Sequence, residues 1–202
     1  MADSGSRDSP GKRERLIAAA RETVYRQGIE KTTLADIAAA AGIALGNVYY
    51  YFKTKDDLIA AVVESHVREA RAMLEAVDDA YERPQDRLKA LFGAFSAQSD
   101  SIARYGCPHG SLCLELDKRA DGQDPHDASA ANVPSVLAAT LMREPLDWAE
   151  RQFRAMGRPD ARDLAIEVIA RYQGTALLTA AFRDPGLLAR EAERVADWVD
   201  TL

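Results

Sequence analysis

The stretch Thr33-Leu34-Ala35-Asp36-Ile37-Ala38-Ala39-Ala40-Ala41-Gly42-Ile43-Ala44-Leu45-Gly46-Asn47-Val48-Tyr49-Tyr50-Tyr51-Phe52 decides the fold. Its first four residues fit a capping box, in which the Thr33 hydroxyl and the Asp36 carboxylate each serve an amide that a helix start leaves unbonded. Leu34, Ile37, Ala38 and Ala41 follow at i, i+3, i+4 and i+7, a single apolar helix face. Gly42 ends the helix, since glycine accepts the left-handed conformation that closes one. After the turn Gly42-Ile43-Ala44, a third short helix is predicted from about Leu45 to Tyr51. Leu45, Val48 and Phe52, at i, i+3 and i+7, supply its packed side.

Working outward, a first helix is predicted over Lys12–Gln27, with Ile17, Ala20 and Val24 on its buried stripe and Gly28 at its end. On the other side, Lys53-Thr54-Lys55-Asp56-Asp57 is a second helix start with Thr54 as the cap. Leu58, Val62, His66 and Ala70 carry that helix to about Ala80 without Pro or Gly. Pro84 begins a helix expected to reach Arg104, with Leu88, Leu91, Phe92 and Phe95 inside. Tyr105 to Pro134 reads as a loop, because of two glycine turns and the polar run Asp121–Asp127. A helix over Val136–Met156 is expected to kink or break near Arg143, ahead of Pro145. Helices over Asp160–Phe182 and Pro185–Leu202 are divided by Asp184-Pro185-Gly186. Val, Ile and Thr are sparse and no repeat is evident, so the fold class is all-α.

The 202 residues suffice for a small domain joined to a larger one. The boundaries read as a disordered tail over 1–11, a head over 12–54 and a body over 55–202. No apolar run is long enough to span a membrane, and the polar start MADSGSRDSPGK lacks a secretory segment, so a cytoplasmic location is expected. The two cysteines, Cys107 and Cys113, are too few for a disulfide framework. The net charge of −6 is unevenly placed: residues 1–60 balance at +1 and the remainder at −7. Such a chain engages a polyanion only through a compact, locally basic face.

Two short helices joined by a glycine-containing turn have the spacing of a helix-turn-helix. The side of the third helix away from its core must then enter a groove about 12 Å wide. Gly46, Asn47, Tyr49 and Tyr50 lie on that side. Gly46 holds nothing away from DNA, and Asn47 offers a donor and an acceptor to a base edge. Tyr49, Tyr50 and Tyr51 bring hydroxyls for phosphates and rings for sugars or thymine methyls, and Lys53 and Lys55 flank the exit. Spacing alone equally allows the tyrosines to be an amphipathic face against a core.

The stretch from Thr33 to Leu58 resembles the signature of TetR/AcrR-family transcriptional regulators. The resemblance implies an N-terminal three-helix helix-turn-helix domain and a C-terminal helical domain that binds ligand and dimerises. It implies DNA contacts at Thr33, Leu45, Gly46, Asn47, Tyr49, Tyr50 and Lys55, a double-stranded palindromic operator, and repression as the family default. It implies that the last two helices pair across a homodimer. Ala165, Ile169, Tyr172, Ala176, Leu177 and Ala180, with Leu188, Val195, Ala196 and Val199, are apolar enough for this, or for a core within one chain. Ala44 departs from the family, which has a Ser, Pro or Thr there; the missing cap should weaken the helix start by about 0.5–2 kcal/mol.

Family members bind a small-molecule effector in the helical body, and no cofactor or enzymatic activity is expected. Phe92, Phe95, Tyr105, His109, Trp148, Phe153 and Tyr172 are suitable linings, or simply core. Tyr105-Gly106-Cys107-Pro108-His109-Gly110-Ser111-Leu112-Cys113 resembles a Gly-Cys-Pro-x-Gly-x-Leu segment of one family branch, some of whose members answer electrophiles or oxidants. Cys107, just before a helix start and near His109, is either a thiol sensor or an inert turn residue. Cys107, His109 and Cys113 match no common metal spacing, so no metal is expected. The alternative function is a small helical enzyme with a Cys107/His109 pair; the sequence shows neither a third group to orient the histidine nor an oxyanion site.

Overall fold

The computed structural model describes residues 11–121 and 133–202, and every regular element among them is a helix. In order these are α1 (Lys12–Gln27), α2 (Leu34–Ala41), α3 (Leu45–Tyr51), α4 (Lys55–Ala80), α5 (Pro84–Ser96), α6 (Ser99–Tyr105), α7 (Pro108–Asp121), α8 (Val133–Ala155), α9 (Ala161–Phe182) and α10 (Gly186–Asp200). The chain forms two compact units that divide between Val62 and Val63. The division falls beyond the sequence boundary at Thr54, because the first two turns of α4, with Leu58, Ile59 and Val62 fully buried, belong to the head. The expected tail lies almost wholly outside the described residues.

In the head, α1 buries Leu16, Ile17, Ala20 and Val24 on one stripe. Gly28 then turns with φ 85°, and the buried Thr32 hydroxyl donates to the Gly28 carbonyl at 2.7 Å. Gly42, at φ 64° and ψ 39°, closes α2 in a Schellman motif: Gly42 N–H donates to the Ala39 carbonyl and Ile43 N–H to that of Ala38. The Arg15 guanidinium from α1 donates to the Ala41 carbonyl, which ties the end of α2 to its neighbour. The head core is completed by Ile37, Ile43, Val48 and Phe52.

In the body, α8, α9, α5 and α10 share one core around Leu91, Trp148, Phe153, Val168 and Val195. A polar clasp joins three helices at its edge. Asp78 of α4 accepts from Trp148 Nε1 at 3.0 Å and Gln152 Nε2 at 3.2 Å on α8, while Arg87 of α5 donates to the Asp78 backbone carbonyl at 3.1 Å.

Three expectations are corrected. The helix expected from Pro84 to Arg104 breaks at Ala97 and Gln98, since Ser96-Ala97-Gln98-Ser99-Asp100 offers no large apolar residue to hold a helical face on the core. The expected loop after Tyr105 contains α7, with Pro108 at its first position and Leu112 and Leu116 buried one turn apart. The polar run expected there lies mostly outside the described residues. Finally, α8 starts at Val133 and does not break at Pro145, one of the two outcomes expected there, the flanking turns being held by buried Leu141 and Trp148.

Candidate nucleic-acid interface

Local capping fixes where α2 and α4 begin, on either side of α3 in sequence. Asp36 N–H donates to Thr33 Oγ1 at 3.1 Å and Thr33 N–H to Asp36 Oδ2 at 2.9 Å, the reciprocal pair expected. The Thr33 hydroxyl, and then its N–H, hold the Asp36 carboxyl below its ordinary range. The start of α4 repeats the device, with Asp57 N–H on Thr54 Oγ1 at 3.0 Å and Thr54 N–H on Asp57 Oδ2 at 2.9 Å. At α3 the N-cap is Ala44, with no side-chain cap.

On α3 only Val48 is buried. Leu45, expected on the packed side, is 42% exposed. Phe52 explains this: it has left the helix at φ −134° and ψ 117°, so no seven-residue stripe links it to Leu45. Tyr49 is 48% and Tyr50 76% exposed, and Asn47 and Thr33 are exposed. A Cβ built at Gly46 would meet nothing within 4 Å, so the protein's own packing does not require glycine there. Tyr51 is half-buried and meets Tyr50 edge-on at 4.9 Å. Lys53 Nζ donates to the Tyr49 carbonyl at 2.9 Å, and Lys55 Nζ to the Glu30 carbonyl at 3.5 Å in the turn before α2. The result is a short helix whose outer side offers amide, phenol and apolar groups with cations at its exit. Such a surface suits a base edge and flanking phosphates.

The residues proposed for sensing are dispersed. Phe95, His109 and Tyr172 meet at a cavity of about 30 Å³ in the body. Phe95 stacks on Tyr172 at 3.9 Å, and the His109 ring stands edge-on to His66 at 5.2 Å. Cys107 is buried behind them, its sulfur accepting from Tyr172 Oη at 3.6 Å and from Gly110 N–H at 3.4 Å. The second contact is that of an N-cap, with sulfur where Ser or Asp would place oxygen. Cys113 donates to the Ala138 carbonyl at 3.1 Å; burial first, then Cys107 and Asp117, push its thiol up to about 11. Phe92, Trp148 and Phe153 lie in the main core and Tyr105 is exposed. Among the described residues, no three His, Cys, Asp or Glu side chains group to hold a metal ion.

Residues 16–62 match the family described as bacterial regulatory proteins, tetR family. Over 53 residues the chain is 42% identical to the HTH-type transcriptional regulator TtgR of Pseudomonas putida, covering 26% of this chain and 25% of that one. The head of the chain, residues 16–62, is thus similar to the N-terminal segment of tetR-family regulatory proteins. An uncharacterised HTH-type transcriptional regulator from the lacX 3′ region of Lactococcus lactis is 29% identical over 106 residues, 52% of this chain and 54% of that protein. The chain thus spans about half the length, or less, of these curated relatives. The fold likeness extends further: a TetR transcriptional regulator from Legionella pneumophila superposes with a TM-score of 0.78 at 21% identity, over 97% of this chain and 98% of that one.

The TetR match ends where the head unit ends, at Val62. In the body, sequence reading missed two groups of residues. Met73, Met142 and Gln173 line the cavity, and Ile166, Leu178 and Phe182 join Leu177 as exposed apolar groups of α9. Most residues named for a dimer face (Ala165, Ile169, Tyr172, Ala176, Leu188, Val195 and Val199) are instead buried in the body's core. The signal available was the run Thr175-Ala176-Leu177-Leu178-Thr179-Ala180-Ala181-Phe182, apolar on more sides than one core can cover. No helix among the described residues is long and apolar enough to cross a membrane.

Proposed function

We propose that the protein is a homodimeric, effector-responsive transcriptional repressor that reads a palindromic operator. The observation that carries this reading is α3, which keeps one residue for the core and turns Leu45, Asn47, Tyr49 and Tyr50 outward around an unobstructed Gly46. One helix of 7 residues makes too few base contacts for specific affinity. A twofold partner placing a second such helix about 34–36 Å away supplies the rest. The apolar outer side of α9, with Leu177 70% and Phe182 69% exposed, is the face such a partner would cover.

The body supplies the signal. An effector entering the cavity beside Phe95, His109 and Tyr172 would favour one arrangement of the helices over another, and that affinity difference is the whole response. A thiol-reactive signal would act at Cys107, since the raised Cys113 thiol is a poor nucleophile.

The test is titration of labelled DNA from upstream of the protein's own gene, at several salt concentrations. Specific binding that weakens steeply with salt is expected. Tyr50→Ala should weaken it about tenfold, the loss of one hydrogen bond to a charged phosphate, with an unchanged melting temperature because the side chain is exposed. Absence of specific binding at low salt to every upstream fragment would overturn the reading.

A further inference from the structure

The body cavity is walled by Phe95, Leu141, Met73 and Met142, and its polar groups are His109, Tyr172 and Gln173. Among the described residues no Asp, Glu, Lys or Arg lines it. Gln173 meets a weak partner there: its Nε2 donates to the Met142 thioether at 3.5 Å. Its carbonyl oxygen lies over Gly110, where an added Cβ would approach to 3.0 Å. The glycine therefore lets α7 close on the Gln173 amide.

We infer that this cavity takes a small, uncharged, largely apolar molecule carrying one carbonyl or amide group, and that Gln173 is the residue that recognises that group. The inference rests on the body being an effector-binding domain and names the chemistry of its ligand. An ammonium would lose its hydration against a wall with no carboxylate, and a carboxylate would meet no Lys or Arg and only the His109 imidazole, a penalty that disfavours both ions. A neutral amide exchanges water for the Gln173 amide, which has both a donor and an acceptor to give. The present space of about 30 Å³ holds little more than a water or two. Entry therefore displaces Met73 and Met142, unbranched side chains that move at small cost. Withdrawal of Met142 also frees the Gln173 amide, which couples opening of the cavity to exposure of its polar group.

The experiment is calorimetric titration of the full-length protein with four probes of one skeleton: benzamide, benzoate, benzylammonium and toluene. Benzamide is expected to bind at least about tenfold more tightly than either ion. Gln173→Leu should weaken benzamide about five- to tenfold, one hydrogen bond's share, and leave toluene unchanged. Met142→Ala should tighten benzamide. Preference for benzoate or benzylammonium, an unaltered benzamide affinity in Gln173→Leu, or no saturable binding by any probe at millimolar concentration would each overturn the inference. Near-ultraviolet circular dichroism checks that both variants keep native packing. Operator binding is scored separately. A protein that binds benzamide through Gln173 and never binds DNA refutes the repressor reading and leaves the ligand class standing. One that binds DNA and prefers benzoate does the reverse.

Discussion

Asp36 and Cys113 show opposite ways for a side chain's surroundings to set its chemistry. Asp36 is held in its ionised form by the Thr33 hydroxyl and N–H, so its carboxyl titrates below the usual range. A lowered carboxyl stabilises the fold above the unfolded value of about 3.9, and the contribution is lost as pH falls through the folded value. Asp36→Asn should therefore be less stable than the parent at pH 6, with the gap closing below about pH 3; urea midpoints at the two pH values measure it. A gap independent of pH would mean that the carboxylate charge plays no part in the cap. Cys113 is shifted the other way, to about 11, chiefly by burial. Its thiolate at pH 8 is about a hundredfold scarcer than that of a free cysteine, and its alkylation by iodoacetamide should be slowed in proportion. A peptide map of the native protein after timed alkylation tests this.

At the scale of the element, α3 and α9 carry opposite departures from an ordinary amphipathic helix. α3 has a single buried residue and no side-chain cap, so little holds its first turn. Ala44→Ser places an oxygen where it can accept from the first-turn amides and should stabilise that turn by about 1 kcal/mol. Hydrogen exchange of the α3 amides would then slow about fivefold, and unaltered exchange would show the turn already secured. α9 departs in the opposite sense. Leu164, Ala165, Val168, Ile169, Tyr172 and Ala176 fill the core on one side while Ile166, Leu177, Leu178 and Phe182 stand exposed elsewhere. Such a helix needs a second cover.

For the whole molecule, the proposed homodimer makes that cover a second copy of the chain. Leu177→Glu changes an exposed residue, so the fold of the protomer should be unaffected. A charge facing its twofold copy at an apolar contact is strongly unfavourable, and sedimentation should show a species of 22.1 kDa in place of one twice as heavy. Its affinity for a palindromic operator should fall to that of a half-site. A variant that still sediments as a dimer would move the interface off the α9 face.

The sequence by itself determined the head. Thr33 with Asp36, Gly42, and Thr54 with Asp57 are local devices whose partners lie within a few residues, so α2, α3 and α4 begin where the pattern puts them. The resemblance added what pattern could not, a likeness to TetR-family heads and the outward-facing positions that likeness implies. The body was legible only as a set of helices. Two glycines disguised α7, because the burial of Leu112 and Leu116 that holds it depends on packing with distant segments. The cavity was hidden for the same reason: Phe95, His109, Met142 and Gln173 come from four helices. Which side of α9 fills the core and which stays open was likewise decided by its neighbours α6, α8 and α10. Capping is a property of adjacent residues, whereas burial belongs to the assembled fold, and that difference sets the limit between what was read and what had to be seen.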